Sequence, residues 1–222
     1  MIPRAIRLAE LVKGPCVLDV GCGGHIVEPR SPHWLHGQLV KRFPEVVGID
    51  QSKEKVEEMR NLGFARVFVA KAETFSFAER FDTIVAGELI EHVSNPGGFL
   101  TQARNHLASG GRLVVSTPFP FSLLYFLYAH LKYPKTCQNP EHACWFCVST
   151  LPELARRCGL RVTHWELIED YREDDKSRLY RTFVNLIAWL GWMLPKRLRC
   201  NTMVFVFEAE EQWRGERHDS QW

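Results

Sequence analysis

The chain lacks most of what would tie it to a membrane or to nucleic acid. No stretch reaches the roughly 18 consecutive apolar residues of a membrane span. Residues 1–13 mix apolar and charged positions, which suits an amphipathic helix and not the apolar core of a secretory leader. There is no surplus of either charge: Lys and Arg total 28 against 26 Asp and Glu. No basic stripe interleaved with aromatics offers a nucleic-acid footprint. The seven cysteines are odd in number and lack framework spacing, so reduced thiols and a cytoplasmic setting are expected. Two nucleotide signatures are also missing. Position 26 is Ile where a dinucleotide fingerprint needs a third glycine, and no Gly-Lys-Ser/Thr closes a phosphate loop.

What is present centres on residues 17–24, VLDVGCGG. The apolar run from Cys16 to Val20 is too short for a helix and lies between Gly14-Pro15 and Gly21, so it predicts a buried strand. Gly21 and Gly23 then allow a ligand close to the backbone, and a following helix would aim free N–H groups at it. This is the layout of a nucleotide or nucleoside site at the carboxyl end of a parallel strand.

The rest of the chain alternates strands and helices. Strands are predicted at 46–50, 66–70, 81–86, 112–117, 161–167 and 202–209, with helices at 35–43, after Ser52, after Asn95-Pro96 and after a Thr150-x-x-Glu153 capping pattern. That alternation implies a doubly wound, mostly parallel α/β sheet within a single domain of 1–222. Residues 208–222 read as a polar tail. The acid Asp50 ends the second strand 27 residues after Gly23. It suits a bidentate acceptor for ribose hydroxyls, although a strand-end acid capping the next helix has the same appearance.

Glu88, Glu91 and His92 fall at i, i+3 and i+4. On a helix they would share one face, able either to hold a divalent cation such as Mg²⁺ or to let a carboxylate orient His92 as a base. Acids opening a helix also favour its dipole with no further role. Residues 119–133, FPFSLLYFLYAHLKY, and 183–194, FVNLIAWLGWML, are apolar and aromatic, the second leading into basic 195–199. Lid inserts are expected near 119–148 and 171–200. The 183–199 stretch is long enough to lie in a membrane interface or a homodimer contact, but not to span a bilayer.

Asp19-x-Gly21-x-Gly23, with Asp50 behind it, resembles the first motifs of the class I S-adenosylmethionine-dependent methyltransferases. The Glu-x-x-Glu-His pattern is similar to that of the ubiquinone-biosynthesis O-methyltransferases. The resemblance implies a Rossmann-like, seven-stranded sheet of order 3-2-1-4-5-7-6 with an antiparallel last strand. It also implies a cofactor set of Asp19, Gly21, Cys22, Gly23, His25, Asp50, Gln51, Ala72, Glu73, Gly87 and Glu88. His92, Glu88 and His142 are the catalytic candidates, and Glu88, Glu91 and His92 the metal candidates. His25 and Lys71 depart from the pattern, which has glycine and aspartate there. The function so implied is methylation, most readily O-methylation, of a small hydrophobic acceptor. An NAD-type oxidoreductase and a non-catalytic binding module of the same fold are the rivals.

Overall fold

The computed structural model describes residues 2–24, 28–131, 140–170, 189 and 193–210. In chain order the elements are α1 (Arg4–Leu11), β1 (Val17–Val20), α2 (Leu35–Arg42), β2 (Val47–Asp50), α3 (Lys53–Asn61), β3 (Val67–Val69), β4 (Phe81–Gly87), α4 (Pro96–His106), β5 (Leu107–Pro118), α5 (Leu123–Leu131), α6 (Thr150–Arg157), β6 (Leu160–Ile168), α7 (Lys196–Arg199) and β7 (Thr202–Ala209). The strands form one sheet in the order β3-β2-β1-β4-β5-β7-β6, as the resemblance implied. All neighbours pair in parallel except β7, which runs antiparallel to both β5 and β6.

Side chains alternate across the pleat and so sort into two cores. Leu18, Val20, Ile84, Ala86, Val115 and Phe205 pack on one face with Phe99 and Leu100 of α4. Val17, Val85, Val114, Val204 and Val206 pack on the other, beneath Leu8 and Ala9 of α1 and Leu39 of α2. Each fully buried Leu, Val or Phe contributes about 1.5–3 kcal/mol of apolar transfer, which fixes the register of every strand. Asp82 is structural, as its place at the start of β4 suggests. Its Oδ2 accepts from the Cys16 N–H at 3.0 Å, tying β4 to the approach of β1.

Several local expectations need correction. No helix forms over Glu88–His92: the chain turns there, and α4 begins only after Asn95, whose Oδ1 caps the Gly98 N–H at 2.8 Å. α4 ends at His106, because 107–111 joins β5, with Gly110 in the left-handed region (φ 73°). At Gly111 any Cβ would meet the Phe81 and Ala108 carbonyls at 2.9 Å, so only glycine fits. The Thr150/Glu153 capping box is not made: Ser149 is the N-cap residue, and Glu153 pairs with Arg156 and Arg157. Glu208 is no tail residue but lies in β7, paired with Arg161 and Arg112. Of the insert at 171–200, residues 171–188 and 190–192 lie outside the described residues. Among the described residues no helix is long and apolar enough to cross a membrane.

Candidate functional site

The site forms where β1, β2 and β4 end side by side. The N–H groups of Gly21 and Cys22 both donate to the Ile49 carbonyl (2.8 and 3.0 Å), which folds the turn after β1 over the end of β2. Gly21 (φ 82°) takes a backbone conformation that L side chains rarely adopt. The Gly23 N–H donates to Asp50 Oδ2 at 3.0 Å, and the Ser52 N–H donates to Asp50 Oδ1 at 2.9 Å. Ser52 Oγ in turn accepts from the Lys55 N–H and caps α3. Asp50 therefore holds the turn and leads into a helix, and each oxygen keeps a lone pair free for a further donor.

Above these groups lies a cavity of about 360 Å³. Its lining includes Gly21, Cys22 and Gly24 from the first turn, Asp50 and Gln51 from the second, Ala72 and Glu73 after β3, and Gly87, Glu88 and His92 after β4. Glu73 Oε1 accepts from the Ser94 N–H at 3.2 Å and joins the last two of these segments. Lys71 is exposed and is not part of the lining. His25 and Ile26 lie outside the described residues. Asp19 does not reach the cavity. It points to the α2 face of the sheet, almost fully buried, with Oδ2 3.0 Å from His36 Nδ1 and Oδ1 without a partner. Burial pushes its carboxyl pKa up, against the pull of His36. Burial likewise pushes up the Cys22 thiol, which is no nucleophile here.

The turn after β4 carries the candidate acid and base groups. Glu88, at φ 52°, is the one non-glycine among the described residues with left-handed backbone. Its N–H donates to the backbone carbonyl (3.0 Å) and the Oγ (3.2 Å) of Ser116 on β5. Its carboxylate lies 3.7 Å from Arg4 Nη1. Glu91 is 1% exposed, and the Thr117 hydroxyl donates to its Oε2 at 3.0 Å while Oε1 has no partner. Burial, then the nearby Glu88 charge, pushes the Glu91 pKa well above the ordinary carboxylate value. The Glu91 carbonyl accepts from the Ala143 N–H at 2.7 Å, which docks the 140–146 segment onto this turn.

That docking brings two predicted residues together. The His92 and His142 rings meet edge-on, 4.7 Å apart at 86°, and His142 continues to Trp145 and so to Tyr125 of α5. Burial lowers the His92 pKa, while Glu141 opposes this. The metal candidates regroup: ligand atoms of Glu91, His92 and His142 lie within 4.8 Å of one another, and Glu88 is not a member of the set. The reason is the missing helix, since a tight turn does not place i, i+3 and i+4 on one face. The expected lid contributes no described residue of 119–131 to the cavity lining; it reaches the site through the Tyr125–Trp145–His142 ring contacts.

Arg4, Trp34, Ser116 and Asp170 went unread. Trp34 donates its indole N–H to the Cys22 carbonyl at 2.9 Å and supports the first turn from below. Arg4 is 6% exposed and lines the cavity. The available signal was a charge one helical turn before the buried Leu8, within the apolar stripe of α1.

Residues 2–165 match a family model described as a methyltransferase domain. A ubiquinone biosynthesis O-methyltransferase of Bradyrhizobium diazoefficiens is 31% identical over 126 residues, 51% of this chain and 44% of that protein. The chain thus spans less than half the length of this curated relative. A SAM-dependent methyltransferase from Archaeoglobus fulgidus superposes with a TM-score of 0.61 at 19% identity, covering 92% of this chain and 90% of that one. The O-methyltransferase of a Brevibacillus brevis polyketide multienzyme, solved with S-adenosyl-L-homocysteine, superposes with a TM-score of 0.58 at 18% identity. There the match covers 95% of this chain and 72% of the other. At such identities the structures speak for the fold alone.

Proposed function

The chain belongs to the methyltransferase-domain family, and as an S-adenosylmethionine-dependent methyltransferase we propose that it O-methylates a small, hydrophobic acceptor. The observation that carries this reading is the cavity bounded by Asp50, the Gly21 turn and Glu88. At about 360 Å³ it falls within the range of small-molecule sites. The residues present fit the cofactor. Asp50 would accept from the ribose hydroxyls, the 72–73 segment would border the adenine, and Gly21 and Gly87 would leave room beside the sulfur and its chain. S-adenosylmethionine supplies a methyl group already activated on a sulfonium.

The protein's own task is alignment in a dry pocket, together with removal of a proton from the acceptor. His92 lines the cavity and its lowered pKa keeps the imidazole neutral near pH 7, ready to take that proton; His142 stands against it and orients the ring. The apolar and aromatic character of 119–133 and the ring series from His92 to Tyr125 support a hydrophobic acceptor. The O-methyltransferase name of the Bradyrhizobium relative supports oxygen as the atom methylated. The test is transfer of a labelled methyl group to a panel of phenols, alcohols and amines of graded hydrophobicity. Methylation of amines alone would overturn the assignment to oxygen, and no transfer with any acceptor would overturn the enzyme reading.

A second reading is favoured by the cluster of Glu91, His92 and His142. Two imidazoles and a carboxylate suit Zn²⁺, Mn²⁺ or Fe²⁺ better than Mg²⁺. Dialysis against a chelator decides between the two. Unchanged transfer supports His92 as a general base, whereas loss restored by one of these ions supports a metal centre.

A further inference from the structure

We propose that Glu141 sets the charge class of the acceptor. Its carboxylate, on the cavity wall beside His92, admits an uncharged or cationic phenol or alcohol and repels one that carries a carboxylate or phosphate. This deepens the O-methyltransferase reading and rests on it.

The backbone fixes Glu141 against the candidate base. The Ala143 N–H donates to the Glu91 carbonyl at 2.7 Å, so the 140–146 segment lies on the turn that carries His92. The His92 ring in turn donates to the Glu141 backbone carbonyl. A neutral imidazole has one N–H, and committing it there leaves the other ring nitrogen as the proton acceptor. An acceptor hydroxyl that gives its proton to His92 therefore stands near Glu141. Glu141 lines the cavity while remaining exposed, which places its charge at the rim. That charge reaches the ring, since it works against the burial that lowers the His92 pKa.

The lining does not offset this charge near His92. Glu73 and Glu88 share the wall, Glu73 joined to the Ser94 N–H just beyond His92. Among the described residues the lining holds two Lys or Arg side chains, Arg4 and Lys55. Arg4 is engaged by Asp170 at 3.1 Å and lies 3.7 Å from Glu88. Lys55 is on α3, which leads from β2, two strands away from β4. Its stem packs on the first turn so closely that a Cβ at Gly23 would meet it at 2.9 Å. An anionic acceptor would thus approach several carboxylates without a cation to receive it, and displacement of water strengthens like-charge repulsion. The sulfonium of the cofactor, itself a cation, is favoured by the same field.

The test is labelled-methyl transfer by the full chain to three phenols of near-equal size. The para isomers of hydroxybenzamide, hydroxybenzoate and hydroxybenzylamine are neutral, anionic and cationic near pH 7. The wild type should use the benzoate at least about tenfold less efficiently than the benzamide in kcat/KM, and the gap should narrow as salt is raised. Glu141→Gln should raise use of the benzoate relative to the benzamide by about three- to tenfold and lower that of the benzylamine. Glu141→Lys should go further in both directions. A merely structural role for Glu141 would move all three acceptors together, so opposite shifts for anion and cation identify charge. Equal wild-type use of benzoate and benzamide would overturn the proposal, as would a gap untouched by salt or by either variant, or transfer to none of the three. The wild-type comparison and its salt dependence need no variant, so a substitution that fails to fold does not blunt them. Calorimetry with S-adenosylhomocysteine on the same sample keeps the underlying reading separate. Binding without the charge preference would overturn this proposal alone, whereas no binding would overturn the methyltransferase reading itself.

Discussion

The backbone N–H of Gly23 donates to Asp50 Oδ2 at 3.0 Å, joining across the sheet two turns that are 27 residues apart in the chain. The same carboxylate accepts from Ser52 through its other oxygen. One side chain thus fixes the shape of the cavity floor while facing into the cavity. The two explanations open to a strand-end acid, helix support and ligand binding, are compatible here, because each carboxylate oxygen accepts more than one donor.

Asp50→Ala should weaken affinity for S-adenosylhomocysteine by about 1.5–3 kcal/mol, the range for hydrogen bonds to a charged group. It should also lower the unfolding temperature, since the N–H groups of Gly23 and Ser52 lose their acceptor. Titration calorimetry alongside thermal unfolding checks both. Undiminished affinity would place the ribose elsewhere.

The pH profile should report on His92. Burial lowers its pKa below the ordinary 6.5, so the acid limb of the methyl-transfer rate should lie below pH 6.5. The unfolded chain takes up this proton at higher pH than the folded one. The contribution of neutral His92 to stability is therefore complete above about pH 6.5 and is lost as pH falls through that value toward the folded pKa. His92→Gln should remove the limb and slow transfer by about 10²–10⁴-fold. Its cofactor affinity should stay within about twofold, since the change removes a proton acceptor and not a cofactor contact.

Glu91→Gln should stabilise the protein increasingly as pH rises. The folded pKa of Glu91 lies well above 4.5, so above pH 4.5 the unfolded chain releases this proton first and wild-type stability falls with rising pH. The amide keeps an acceptor for the Thr117 hydroxyl and carries no charge to bury. Chelator-treated samples melted at pH 5 and pH 8 should show a larger gain at pH 8, of a few degrees for a chain of this size. A gain independent of pH would mean that Glu91 is not held protonated by the fold.

The sheet was legible because its signals are local and repeated. Alternating apolar runs bounded by Gly14-Pro15, Pro44 or Gly63 give strands and helices without reference to distant residues. Asp50 was legible for the same reason, since a strand end predicts the cavity edge, whereas Ala72 and Glu73 were reached only through the family resemblance; all three line the cavity. The turn after β4 was not. Glu88–His92 carries helical spacing, but the Ser116 contacts hold Glu88 in a conformation that no helix contains. Ser116 lies 28 residues away, and no pattern along the chain announces it. The motif fixes the residue type at Asp19, whereas strand parity decides which face it meets, and its side chain turns to His36 on the α2 face. His142 could be picked out as a candidate, but its partner His92 is set by the Glu91–Ala143 hydrogen bond, which only the folded chain reveals.

The backbone of Glu88 is what its neighbour on β5 allows. A non-glycine residue at φ 52° costs on the order of 1–3 kcal/mol, and two contacts to Ser116 offset it. Ser116 contributes nothing to the cavity wall, yet it decides where the carboxylate at that wall stands and also receives a donor from Arg4. Remodelling that serine would let the bend uncoil and carry the acid off its mark. The enzyme's grip on its ligand would then be governed from a strand the ligand never meets.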